Sequence, residues 1–236
     1  MRIAILMANT DESSFADQHP KDGEKWTTLL AHQRPDWDYV AFSVKDGDFP
    51  QELEVFDGFV ITGSPASVHD EDAWVEPLSD LIRTLHAQKT PLFGACFGHQ
   101  AIAKALGGKV EANPGGWVFG STQMGISTPT PWVEAQRFRL YGAHIEQVTQ
   151  MPEGATNIMT SEGCPIGGFR IDDHVFTTQN HPEMTPNFIA ALIDELEDEK
   201  PADVIARART SLAMPADGPQ FAEWIVRFFE HANAQG

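Results

Sequence analysis

Cysteine is scarce: Cys96 and Cys164 are the two in 236 residues. Two thiols cannot form a disulfide framework, and one of them reads below as reactive, which points to a reducing compartment. Basic residues are few as well, 16 Lys and Arg against 34 Asp and Glu, for a formal net charge of −18. Nucleic acids and anionic membranes bind through basic patches, so neither is an expected partner. No apolar run is long enough to span a bilayer. The stretch 2–8 turns polar at Asn9 and is too short for the core of a signal peptide, so it reads as a buried strand, and the expected location is cytoplasmic. A Walker-type phosphate loop, an internal repeat and a long linker are all missing. His69, His99 and His144 show no ligand spacing such as His-x-x-x-His, and the acidic run 194–199 lacks the glycine turn of a calcium loop. No metal and no cofactor are expected, and the acidic run reads as the solvated face of a helix.

A hydrophobic content of 42% is enough to bury a full core. Apolar runs at 2–7, 38–44, 56–62 and 92–95 predict strands, and 24–33 and 74–88 predict helices, the second with Trp74, Leu78, Leu81, Ile82 and Leu85 along one stripe. Such alternation favours a largely parallel sheet covered on both faces. From 109 to 179 the pattern shifts to short β-prone runs split by Gly and Pro, which predicts antiparallel strands and hairpins. The last fifty residues read as helical, with Phe221, Trp224, Ile225, Phe228 and Phe229 facing a core. The expected architecture is α/β and three-layered, a flavodoxin-like, mostly parallel central sheet with helices on both faces and a small antiparallel β portion. A single domain over 1–236 is expected.

Two segments carry chemistry. In Pro91-Leu92-Phe93-Gly94-Ala95-Cys96-Phe97-Gly98-His99-Gln100 an apolar strand runs into a thiol and then into a helix predicted over 101–106. Small residues on both sides permit a tight corner that lifts the sulfur toward a helix N-terminus, which favours a thiolate. The competing reading is a packed thiol, and for Cys164, before Pro165, packing is the preferred one. Downstream, a β-prone run over 174–179 ends in Asn180-His181-Pro182-Glu183. Pro182 stops the strand, and His181 and Glu183, two apart in extended chain, project the same way. Glu183 can then hold one ring nitrogen of His181 while the other faces a thiol.

Gly94-x-Cys96-x-Gly98-His99-Gln100 followed by His181-Pro182-Glu183 resembles the class I, triad-type glutamine amidotransferase family, in residue types and in the order Cys, His, Glu. The likeness extends to Thr62-Gly63-Ser64-Pro65, at the place of the family's oxyanion-hole loop, and to Gly107-Gly108 beyond the nucleophile helix. It implies Cys96, His181 and Glu183 as catalytic residues. The backbone N–H of Phe97, with that of Gly63 or Ser64, would form the oxyanion hole, and Gln100 and Gly98 would lie beside the substrate. Gln100 reads equally as a helix surface residue. Two positions depart from the pattern: Asn180 replaces a common aromatic residue, either bonding substrate or solvating an open mouth, and Ser64 replaces a glycine. Trp117 and Phe119 suit either a pocket wall or the core.

The implied reaction is hydrolysis of the glutamine side-chain amide through a γ-glutamyl thioester, with ammonia passed to an unidentified synthase or acceptor subunit. The same chemistry would serve a γ-glutamyl peptidase acting on peptides or conjugates. A non-catalytic metabolite-binding regulator and a thiol-elbow peptidase or chaperone are weaker alternatives.

Overall fold

The computed structural model describes residues 1–134 and 136–235. The first part of the chain alternates strand and helix: β1 (Arg2–Met7), α1 (Asp22–Ala31), β2 (Asp38–Ser43), β3 (Gly58–Ile61), α2 (Val75–Ala87), β4 (Leu92–Ala95) and α3 (Phe97–Ala105). Seven strands follow: β5 (Lys109–Ala112), β6 (Val118–Ile126), β7 (Arg137–His144), β8 (Glu146–Gln150), β9 (Ala155–Ser161), β10 (Cys164–Ile171) and β11 (Val175–Thr178). Three helices close the chain: α4 (Pro186–Glu195), α5 (Ala202–Ser211) and α6 (Gly218–Gln235). Among the described residues, no helix is long and apolar enough to cross a membrane.

Nine strands share one sheet in the order β2-β1-β3-β4-β11-β10-β9-β6-β7, and β5 with β8 forms a separate antiparallel ribbon. Strands β2, β1, β3, β4 and β11 run parallel, and the others extend the same sheet antiparallel. Successive residues of β1 face opposite sides. Ala4 and Leu6 join Ile82, Phe97 and Ile102 on one side, whereas Ile3 and Ile5 join Trp26, Phe93, Trp224 and Phe228 on the other. Two buried layers thus sandwich the sheet, and the aromatic stripe expected at the C-terminus is the inner face of α6. A third cluster, Tyr141, Ile189, Ile193, Ile205 and Ala208, packs α4 and α5 against β7.

Several boundaries differ from expectation. The helix after Cys96 starts at Phe97, not at residue 101, because the chain turns within a single residue. The acidic run 194–199 is not one helix face: α4 ends at Glu195, residues 196–199 form turns, and Arg209 bridges Asp194 and Glu197. At the other end of α4, Thr185 caps the helix by accepting the Phe188 N–H at 3.2 Å, with Pro186 in the first turn. Thr185→Ala is expected to cost about 1 kcal/mol of stability, read from the urea midpoint.

Candidate active site

Adjacent parallel strands deliver the conspicuous side chains to one edge of the sheet. In register, Ile61 of β3 faces Gly94 of β4, and Thr178 of β11 faces Ala95 of β4. All three strands therefore stop at the same level, in the crevice beyond their carboxyl ends where open α/β sheets bind ligands. Gly63 and Ser64 follow β3, Cys96 follows β4, and His181 follows β11. The Cys96 N–H donates to Thr178 O at 2.9 Å, and the His181 N–H donates to Tyr141 O at 2.8 Å, which pins both residues to neighbouring strands.

Cys96 takes φ 50° and ψ −106°, a conformation costly for any residue with a side chain, of order 1–3 kcal/mol. The corner forms because the flanking glycines let backbone meet backbone. A Cβ on Gly98 would lie 2.4 Å from Ile61 O, and one on Gly94 would lie 2.7 Å from Gly98 O. Gly98 thus serves the close packing of α3 on β3. As the first residue of α3, Phe97 carries an N–H with no partner inside the helix.

His181 and Glu183 are 6% and 7% exposed, and Nδ1 of the imidazole lies 2.7 Å from Glu183 Oε1. The other ring nitrogen is left for Cys96, which lines the same cleft beside the ring. Burial opposes a charge on the ring. The Glu183 carboxylate and the Cys96 sulfur overcome it and hold the imidazole pKa well above the ordinary histidine value. Gly63 completes the corner: a Cβ there would lie 2.6 Å from His181 Cε1 and 3.6 Å from Cys96 Cβ. Its glycine is required for room rather than for a positive φ, and Ser64, whose φ is not positive either, accommodates a side chain.

These residues line a cleft of about 320 Å³, together with Gln100, Trp117, Phe119, His144 and Glu146. Its size suits a small-molecule ligand. Gln100 is not a surface residue. It is 4% exposed and its amide donates to Glu146 O at 2.9 Å and to Gln179 Oε1 at 3.3 Å. Asn180 neither reaches the cleft wall nor solvates a mouth. It is buried, with its amide against Met124 Sδ at 3.3 Å. Cys164 is also packed, bonded to Ile166 O, and burial pushes its thiol up to about 12.

His144 had no signature in the sequence, yet it stands on the cleft wall. Burial pushes its pKa down to about 4, so it is neutral near pH 7. Its Nδ1–H then donates to Glu146 O at 3.0 Å, leaving Nε2 buried without a partner among the described residues. His99 lies deeper. Burial takes it to about 3, and it bonds the Thr177 hydroxyl at 2.8 Å. Among the described residues, no group of three or more His, Cys, Asp or Glu is placed to hold a metal ion.

Comparison with known proteins gives a consistent picture. The family model described as glutamine amidotransferase class-I matches residues 35–192. Gamma-glutamyl peptidase 3 of Arabidopsis thaliana is 29% identical over 214 residues, covering 84% of this chain and 83% of the relative. A Saccharomyces cerevisiae protein, provisionally named a glutamine amidotransferase, is 31% identical over 244 residues and 97% of each chain. Among solved structures, a glutamine amidotransferase from Thermotoga maritima superposes with a TM-score of 0.76 at 18% identity, over 97% of this chain and 98% of that one, which establishes the shared fold.

Proposed function

Since the chain belongs to the class I glutamine amidotransferase family, we propose that it hydrolyses γ-glutamyl amides through a thioester on Cys96, with γ-glutamyl peptides or conjugates as its substrates. The observation that carries the chemistry is the placing of Cys96 beside a buried His181–Glu183 pair on one open cleft. The cleft supports the choice of substrate. It continues past His181 to Phe188 and Lys25, further than the departure of ammonia requires, and a relative of matching length bears the name γ-glutamyl peptidase.

Cys96 thiolate attacks the γ-carbonyl carbon, and the C=O electron pair moves to oxygen. The N–H of Phe97 and that of Gly63 or Ser64 hold the oxyanion, each such donor typically contributing about 2.7–4 kcal/mol. As the intermediate collapses, the C–N bond breaks and His181 Nε2–H protonates the departing nitrogen. Water then attacks the thioester, His181 takes its proton, and the Cys96 sulfur leaves with its electron pair as glutamate is released. Glu183 keeps Nδ1–H in place and supports the imidazolium. Gln100, on the cleft wall, bounds the glutamyl end, and Gly98 lies behind it, packed against β3. No cofactor or metal takes part, and one domain over 1–236 carries the whole reaction.

Glu183→Gln tests the electrostatics. The protonated ring supplies the acid, so the rate falls as pH rises through the His181 pKa. Removing the carboxylate lowers that pKa, so the alkaline limb of kcat should move to lower pH, with kcat down by roughly 10²–10⁴-fold. An unmoved limb would remove Glu183 from the site.

A second reading follows from the yeast relative's name: glutamine as substrate, with ammonia delivered to a synthase subunit. A panel of glutamine, γ-glutamyl amines and γ-glutamyl peptides separates the two. Preference for the peptides is the expected result. Efficient turnover of glutamine alone would favour the second reading.

A further inference from the structure

Beyond Cys96 and His181 the cleft runs to Asn9, Asp11, Phe15, Asp22, Lys25 and Phe188, and the same six residues line an adjoining chamber of about 280 Å³. Lys25 stands at the junction. Its side chain is 13% exposed, with Nζ 3.0 Å from Asp22 Oδ1 and 3.9 Å from the centre of the Phe188 ring. An ammonium has three donors. Asp22 takes one, and the Phe188 face steadies the charge without accepting a full hydrogen bond. The remaining donors are left for the cleft, and a half-buried ammonium with unused donors favours an anionic acceptor. Asp11 also stands on this wall, where its Oδ1 accepts the Ser13 N–H at 2.9 Å, and Glu12 and Asp46, which line the adjoining chamber, both pair with Lys45. Alongside, Phe15, His19 and Phe188 pack with ring centres 4.5, 5.0 and 5.8 Å apart, giving an apolar wall next to the ammonium.

The two parts of this junction match what leaves a γ-glutamyl peptide. Ammonia needs no subsite. An amino acid or short peptide departs with a terminal carboxylate and a side chain near the scissile nitrogen. We infer that the junction is the leaving-group subsite: Lys25, bridging from Asp22, receives the carboxylate of the amino acid or peptide released, and Phe15 and Phe188 take its side chain. This rests on the γ-glutamyl peptide reading above and narrows it to substrates whose leaving portion bears a free carboxylate. Lys25 moves no proton in the reaction. The amide C–N bond breaks as before, with His181 as the acid.

The test compares γ-glutamyl-alanine with γ-glutamyl-alaninamide, which differ in that carboxylate alone, on the full chain. The native protein is expected to favour the acid in kcat/KM by roughly 10- to 100-fold, mainly through KM, the size of one charge-assisted hydrogen bond. Lys25→Met should bring the ratio close to one, and Lys25→Arg should keep most of it. A native ratio near one, or a ratio that survives Lys25→Met, overturns the subsite. Should Lys25→Met fail to fold, Lys25→Gln replaces it, and the native comparison stands by itself. Cleavage of both dipeptides without preference sinks the subsite alone. Cleavage of glutamine but neither dipeptide sinks the γ-glutamyl peptide reading, and the subsite with it.

Discussion

Replacing Cys96 with serine is expected to lower glutamate release by roughly 10⁴–10⁶-fold, the range seen when a hydrolytic triad loses its nucleophile or base. The loss should fall in kcat, because the cleft walls that hold substrate are unchanged. The reason lies in the corner. The strand-to-helix turn holds one atom beside His181, and a hydroxyl there ionises far less readily than a thiol. Mass spectrometry supplies the second readout. An electrophilic glutamine analogue should add once, to Cys96, and spare Cys164, whose thiol is buried and pushed up to about 12. Turnover by the serine variant near the native rate, or an adduct on Cys164, would remove Cys96 as the nucleophile.

The largest expected effect on stability comes from Gly98→Ala, a single added methyl. Its carbon would sit 2.4 Å from Ile61 O and 2.9 Å from Ile61 C, both backbone atoms of a central strand. No rotamer relieves that contact, so α3 must draw away from β3. The Gly98 N–H also donates to Thr62 O at 3.2 Å, and that bond is lost with the separation. Overpacking of this kind costs typically 1–3 kcal/mol, and a clash with the backbone of a central strand lies at or above the top of that range, about 3 kcal/mol. The urea midpoint should drop with little change in slope. Gly107→Ala is the contrast. Its φ of 90° strains any side chain, but nothing stands within 4 Å of the added carbon, so its cost is that of a backbone conformation, about 1 kcal/mol.

The parallel half of the sheet was legible because each of its strands is a short apolar run bounded by polar or glycine residues. β1 and β4 occupy the spans their hydrophobicity predicts. Between 109 and 179, Gly and Pro announced β structure without announcing pairing. That β11 inserts between β4 and β10, and that β5 leaves the sheet to pair with β8, depends on contacts between residues distant in the chain. The Cys96 corner and the His181–Glu183 spacing could be read because both are local. A tight turn needs small neighbours, and two alternate residues in extended chain share a side. His144 and Lys25 could not be read in this way. One is a strand residue and the other a helix residue, and neither neighbourhood differs from an ordinary polar surface until the fold turns it into a cleft. Asn9 and Asp11 left a faint mark, as polar residues directly after a buried strand at the end of the sheet where ligands collect.

The insertion of β11 beside β4 also orders events on the ribosome. Roughly eighty residues separate the sulfur from the imidazole, so a growing chain exposes Cys96 well before the strand that flanks it is made. Until the segment through His181 leaves the exit tunnel, β4 has an open edge and Cys96 has no imidazole beside it. On the proposed mechanism, reactivity therefore waits for His181, and a fragment released before that point would carry an idle cysteine.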